Sequence, residues 1–201
     1  MTTTEIEPIT YPARPYNGGP LPKALRKDSG WYYEPKYNGW RTLIHQPTGT
    51  MFNRHGDKLS IQHEFKDAIK ELQDTYPNIE WIDCEALGRR HKIGKGTLIV
   101  LDAVVPGTYD ERRSLLTAAE IESFSNPISL MLSDRKCYLT LSGIGIDNAE
   151  ESWREMQYEN KKIGVEFYEG LVAKHADSHY PVQLRSPKLE CSFWVKHRWA
   201  Y

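Results

Sequence analysis

The sequence predicts one α+β domain with antiparallel sheets flanked by helices. Three observations lead there. Short β-prone runs recur along the chain. Two segments with helical periodicity interrupt them without regular βαβ alternation. A length of 201 residues suits a single domain with a real core.

Residues 1–30 read as an extended N-terminal arm ahead of a domain over 31–201, because Pro8, Pro12, Pro15, Pro20 and Pro22 with Gly18 and Gly19 exclude a helix or a central strand. Residues 31–46 read as two strands around an Asn38-Gly39 turn. Phe65, Ala68, Ile69, Leu72 and Tyr76 recur at helical spacing, and Pro77 ends that helix. Residues 81–88 and 96–105 are strand-like, and the loop between them carries Arg89, Arg90, His91, Lys92 and Lys95. Residues 111–124 read as a helix, and 128–133 and 136–143 as strands. A second strong helix covers 149–163, with Asp147 or Asn148 as its cap and Gly164 as its stop. Residues 169–175 and 191–199 return to strand. Trp31, Trp40, Trp81 and Trp194 are expected in the core, and Trp153 joins Met156 and Ile163 on a buried helical stripe.

The charge is balanced, 26 basic residues against 27 acidic, so any polyanion must be met by local clusters rather than by bulk charge. One cluster is the 89–95 loop. Another comprises Lys174, Arg185, Lys188, Lys196 and Arg198. No run approaches the roughly 20 apolar residues of a membrane span. The N-terminus has no basic start followed by an apolar run, so a cytoplasmic location is expected. Cys84, Cys137 and Cys191 are odd in number and far apart, which fits a reducing compartment. His175, Asp177 and His179 look like a metal trio but lack a defined further ligand, and are read as coincidence.

The chemistry centres on Lys36. Lys-x-x-Gly occurs at Lys27, Lys36 and Lys161, but only Lys36 has both Glu at −2 and Arg at +5, in Glu34-Pro35-Lys36-Tyr37-Asn38-Gly39-Trp40-Arg41. This segment resembles the first motif of the covalent nucleotidyltransferases, which include ATP-dependent DNA ligases, RNA ligases and mRNA-capping guanylyltransferases. Asn38 stands where Asp is usual. Asn53-Arg54-His55-Gly56, Asp83-Cys84-Glu85-Ala86-Leu87, Leu101-Asp102, the Arg-rich Glu111–Leu116, Glu169-Gly170-Leu171-Val172-Ala173-Lys174 and Trp194-Val195-Lys196-His197-Arg198 follow in the family's order. The ordered set covers roughly residues 31–199.

The resemblance implies the adenylation domain of an ATP-dependent ligase, with ATP and Mg²⁺ as cofactors. Lys36, Lys174 and Lys196 would be catalytic. Glu34, Arg41, Arg54, Glu85, Leu101, Lys174, Lys196 and Arg198 would bind ATP, with Leu101 offering an aliphatic face where the family stacks an aromatic ring. Glu85 and Glu169 would hold the metal. A lysine amine near its reference pKa of about 10.4 is mostly protonated and must lose a proton before attacking phosphorus. Neighbouring cations disfavour its second charge and neutralise the transition state.

Glu34, the Tyr37–Arg41 run, Asn53–Gly56 and Glu111–Leu116 resemble DNA ligases more than RNA ligases, so nicked duplex DNA is the expected partner and RNA the alternative. A decayed copy that only binds nucleotide or nucleic acid is the non-enzymatic alternative, and the intact Lys36, Glu85, Glu169, Lys174 and Lys196 argue against it. Family ligases carry a C-terminal OB domain after the fifth motif. The sequence ends three residues past Arg198, so the expectation is an adenylation domain without that OB domain, with an OB partner supplied separately as one route to a complete ligase.

Overall fold

The computed structural model describes residues 6, 14–21, 29–119, 122–124, 126–141, 144–182 and 190–199. Pro8, Pro12, Pro22, Lys27, Arg185 and Lys188 lie outside these. The strands are β1 Arg14–Asn17, β2 Trp31–Tyr37, β3 Trp40–His45, β4 Thr50–Asn53, β5 Trp81–Ala86, β6 Leu98–Ala103, β7 Cys137–Leu139, β8 Tyr168–His175 and β9 Glu190–Arg198. The helices are α1 Lys66–Thr75, α2 Tyr109–Thr117, α3 Pro127–Leu132 and α4 Ile146–Ile163.

The strands form two sheets, ordered β1-β9-β8-β2 and β4-β3-β5-β6-β7. The inner pairs are antiparallel, as expected. Each sheet also carries a parallel edge strand, β1 on β9 and β7 on β6, so both are mixed. The proline-rich arm therefore contributes an edge strand over residues 14–17, the place in a sheet where Pro15 is tolerated.

Asn38-Gly39 is not a hairpin turn. β2 pairs with β8, whereas β3 pairs with β4 and β5, so the chain crosses from one sheet to the other at this dipeptide. A two-residue type I′ hairpin needs positive φ at both central residues, and Gly39 is not among the positive-φ glycines of the described residues. Asn38 is instead held by its N–H on the Phe167 carbonyl and by its side-chain amide on the Glu166 carbonyl.

Helix α1 buries Ala68, Ile69 and Leu72, and Tyr76 closes it, as the periodicity predicts. These residues pack with Ile44, Met51, Ile82 and Val100 on the outer face of the second sheet. Helix α4 buries Trp153 and Met156 against Tyr33, Leu171, Ala173 and Val195 of the first sheet. Its cap differs from expectation. Gly145 precedes the helix and Asp147 falls in the first turn, where a negative charge suits the helix dipole, while Gly164 stops the helix in the left-handed conformation. Residues 128–133 form a helix rather than a strand: the Asn126 side chain accepts from the Ile128 and Ser129 N–H groups, and Pro127 is pre-shaped for the first helical position. Helix α2 starts at Tyr109, ahead of expectation, because Thr108 and Glu111 form a reciprocal capping box. It ends at Thr117, short of the expected 124.

One irregularity in the first sheet sets up everything that follows. Lys36 faces Gly170 but Tyr37 faces Tyr168, so Glu169 is the extra residue of a bulge. Gly170 takes φ 145°, and a Cβ there would sit 1.9 Å from the His197 carbonyl oxygen. We predict that Gly170→Ala lowers unfolding stability by about 3 kcal/mol, from backbone strain plus the clash with β9. Urea denaturation tests this, and a loss below about 1 kcal/mol contradicts the bulge.

Candidate active site

Strand alternation sorts the first sheet into two faces. Tyr33, Leu171, Ala173 and Val195 point into the core. Glu34 and Lys36 of β2, Val172 and Lys174 of β8, and Trp194, Lys196 and Arg198 of β9 line the opposite face. The bulge brings Glu169 onto this face as well. The second sheet contributes Arg41 from β3, Asp83 and Glu85 from β5 and Leu101 from β6. A shift in the β5–β6 register beside Asp83 leaves Leu101 without a partner on β5. Between the sheets lies a cavity of about 560 Å³.

Every residue singled out from the sequence lines this cavity: Glu34, Lys36, Arg41, Arg54, Glu85, Leu101, Glu169, Lys174, Lys196 and Arg198. Their states differ. Lys36 Nζ contacts a Glu169 oxygen, and Arg198 reaches that same oxygen at 3.0 Å. Arg41 grips Asp83 through two nitrogens, with Nε at 3.0 and 3.2 Å and a terminal nitrogen at 2.5 Å, and the Tyr180 hydroxyl donates to Asp83 at 2.8 Å. Arg54 is exposed at the rim, where its Nε donates to His55 at 3.1 Å.

Lys174 is 3% exposed, and its ammonium is already engaged. It lies 3.1 Å from Glu34 and 3.3 Å from Asp102, donates to the Leu101 carbonyl at 3.0 Å, and sits 4.6 Å from the centre of the Trp194 ring. Beyond it, Arg112 pairs with Asp102 at 2.8 Å and the Tyr109 hydroxyl donates to Glu34 at 2.5 Å. Both Glu34 oxygens thus have protein partners. Sequence reasoning missed Tyr109 and the pairing of Asp102 with Arg112. Asp102 and Arg112 stand inside quoted motifs, but only the fold discloses that they meet.

Glu85 accepts from the Gly39 N–H at 2.9 Å. Burial raises its pKa from the usual 4.5 to about 7; Lys36, the Gly39 N–H and Arg41 oppose the rise, and Glu169 adds to it. Burial also lowers the Lys196 pKa, as do Arg198, Arg14 and Lys36, while Glu190 opposes. Glu85 and Glu169 therefore share one electrostatic neighbourhood on the cavity wall. Two carboxylates on one cavity wall suit a hard cation such as Mg²⁺, which takes oxygen ligands.

Trp40 departs from expectation. It is 38% exposed and lines the cavity mouth with the Arg89 guanidinium 4.9 Å from its ring centre, because its strand begins at the crossing between sheets rather than inside a hairpin. Trp31, Trp81 and Trp194 are buried, as expected. Within the 89–95 cluster, Arg89 pairs with Glu64 at 2.7 Å and Arg90 donates to the Gly39 carbonyl at 3.1 Å. No group of three or more metal-binding side chains occurs among the described residues, so His175, Asp177 and His179 form no such site. Cys84, Cys137 and Cys191 are buried and unpaired. No helix among the described residues is long and apolar enough to cross a membrane.

No protein-family model matches the sequence, and no curated protein matches it. Solved structures do. A mycobacterial DNA ligase D complexed with ATP and MES matches with a TM-score of 0.56 at 20% identity, over 94% of this chain and 60% of that one. A structure of the Lig E DNA ligases matches at 0.55 and 14%, over 92% and 68%. An archaeal ATP-dependent RNA ligase matches at 0.52 and 14%, over 94% and 48%. The chain thus has the fold of the nucleotidyltransferase domain of ATP-dependent ligases, and spans between about half and two thirds of the length of these structures.

Two outcomes follow for the metal-free protein. Lys174→Met leaves Glu34 and Asp102 buried with one cation fewer, and should lower stability by about 3–5 kcal/mol in urea unfolding. Glu85 binds a proton more tightly folded than unfolded, so its contribution to stability is lost as pH rises from about 4.5 to about 7. Glu85→Gln should therefore gain stability relative to wild type between pH 5 and pH 8; a difference that does not change with pH contradicts the raised pKa.

Proposed function

We propose that the chain is the nucleotidyltransferase domain of an ATP-dependent polynucleotide ligase, with residues 31–201 as the catalytic unit and residues 1–30 as an arm. The observation that carries this reading is the position of Lys36. Its amine sits on a cavity wall beside two carboxylates and among cations drawn from both sheets, and the fold is one that ligases use. Lys36 loses a proton and attacks the α-phosphorus of ATP. A nitrogen–phosphorus bond forms as the bond to the bridging oxygen breaks, and that electron pair leaves on pyrophosphate. The AMP then passes to a nucleic-acid 5′-phosphate, from which a 3′-hydroxyl displaces it.

Each side chain has a part. Lys196 and Arg198 neutralise charge at the phosphates. Glu34, fixed by Lys174 and Tyr109, borders the base, with Leu101 as an aliphatic wall. Arg41 and Arg54 face the ribose or the acceptor's 5′ end. Lys174 lines the cavity with its ammonium already engaged, holding Glu34 and the Leu101 carbonyl in place. Glu85 and Glu169 would hold Mg²⁺, which supplies charge neutralisation at the phosphate oxygens when bound.

We favour nicked DNA over RNA as acceptor on the sequence around Lys36 and Glu111–Leu116, although both DNA and RNA ligases share the fold. A separate OB module would add phosphate contacts beyond those of this cavity. Three buried, unpaired cysteines support a reducing compartment such as the cytoplasm.

The test supplies ATP, Mg²⁺ and a 5′-phosphorylated nick in either an all-DNA or an all-RNA duplex. The wild type should produce adenylated and sealed DNA faster than RNA, with GTP inactive, and Lys36→Ala should lose more than about 10³-fold in rate. Preference for the RNA nick would reassign the acceptor, and an active Lys36→Ala would overturn the mechanism.

A further inference from the structure

Among the described residues, eight lysines and arginines line the cavity against four aspartates and glutamates. Four of those cations are answered by carboxylates: Lys36 and Arg198 by Glu169, Arg41 by Asp83 and Lys174 by Glu34. Arg14 is different. It reaches the cavity from β1, in the arm that the motif pattern passes over, and its Nε is buried without a hydrogen-bond partner among the described residues. A buried guanidinium N–H left unmade is costly, and a cavity that collects cations in this way fits a polyanion.

The sheet order says where along that polyanion Arg14 would act. Lys36 lies on one edge strand, β2, and Arg14 on the other, β1, with β8 and β9 between them. At about 4.8 Å per strand their backbones stand roughly 14 Å apart across the sheet, and they are also offset along it, because Arg14 faces Glu190 whereas Lys36 shares its row with Gly170 and Arg198. Lys196 and Arg198 on β9 occupy the interval. Two cations so far apart serve different phosphates. If Lys36 meets the α-phosphorus, a phosphate chain running diagonally past Lys196 points its far end toward Arg14, which lines the same cavity and whose charge, like that of Lys36, acts on Lys196. The strand is seated by its backbone, with Asn17 opposite Lys196 and the Gly18 N–H on the Lys196 carbonyl at 3.0 Å. The side chain of Arg14 is therefore available for a ligand without being needed to hold β1.

We propose that Arg14 binds the β- and γ-phosphates of the nucleotide, the part that leaves as pyrophosphate. This rests on the reading of Lys36 as the nucleophile. As the nitrogen–phosphorus bond forms and the bridging oxygen takes the electron pair, the Arg14 N–H groups donate to the departing anion, a charge-assisted contact made stronger as charge develops. AMP transfer to a 5′-phosphate involves no pyrophosphate, so Arg14 has no part in it.

The experiment compares wild type, Arg14→Ala and Arg14→Lys. Pyrophosphate itself is titrated calorimetrically into each protein, which requires no chemistry. In parallel, the rate of lysyl-AMP formation is followed against ATP concentration, and AMP transfer to nicked DNA is followed from protein adenylated beforehand. Arg14→Ala should weaken pyrophosphate binding about tenfold and raise the KM for ATP to a similar degree. Its melting temperature and transfer step should be unchanged, and Arg14→Lys should fall in between. Undiminished pyrophosphate affinity in Arg14→Ala overturns the proposal, as does a wild type that does not bind pyrophosphate or an equal loss in the transfer step. A wild type that binds pyrophosphate through Arg14 but forms no lysyl-AMP counts against the role of Lys36 instead.

Discussion

The site depends on one buried ionic chain. Lys174 of β8 is enclosed by Glu34 of its own sheet and by Asp102 and the Leu101 carbonyl of the other, and Arg112 closes the series from α2. Two cations and two carboxylates balance, all four buried, and the Tyr109 hydroxyl also donates to Glu34. Such a network is poor evidence for stability, since an apolar replacement of the whole can be as stable. Its effect is geometric. The two sheets share no ladder, so Lys174 acts as a tether between them, and their separation on that side is the width of the cavity.

Around this tether, backbone irregularities decide which side chains face inward. Regular alternation would send Glu169 toward the core, where a lone carboxylate is costly. The bulge at Glu169-Gly170 turns it instead toward Lys36 and Arg198. The register shift beside Asp83 exempts Leu101 from ladder pairing in the same way. At Asn38-Gly39 the chain changes sheets just after Lys36, so Lys36 and its neighbours Gly39 and Arg41 stand on both walls within a few residues. The close seating of Gly39 against Glu85 lets its N–H reach that carboxylate. Two sequence-distant carboxylates, Glu85 and Glu169, are thereby brought into one field, and burial, with a smaller push from Glu169, raises the Glu85 pKa to about 7.

Much of this was legible in the sequence. The periodicity of Phe65, Ala68, Ile69, Leu72 and Tyr76 fixed α1 because burial of one stripe is a local property. The ordered motifs located the residues of the cavity because the chemistry restricts residue types at fixed spacing. What escaped was mostly long-range. Asn38-Gly39 has the composition of a hairpin, and only the preference of β2 for β8 makes it a crossing. Residues 128–133 have strand-like composition, and the decisive signal was the Asn126-Pro127 start rather than the run itself. Trp40 was assigned to the core on residue type alone, though its place at the crossing leaves it at the cavity mouth. The motif pattern places Lys174 at the phosphates and is silent on its protein partners. Its partners lie 72 and 140 residues away, at Asp102 and Glu34, and no spacing rule links them.

The central claim is that this tethered cavity presents Lys36 as an acceptor of AMP. The most direct measurement is to incubate the protein with Mg²⁺ and ATP labelled at the α-phosphate, digest it and map the label. One labelled peptide is expected, containing Lys36, joined by an acid-labile phosphoramidate and discharged by added pyrophosphate. Label on another residue, or none on protein that intact mass shows to be free of AMP at the start, would contradict it.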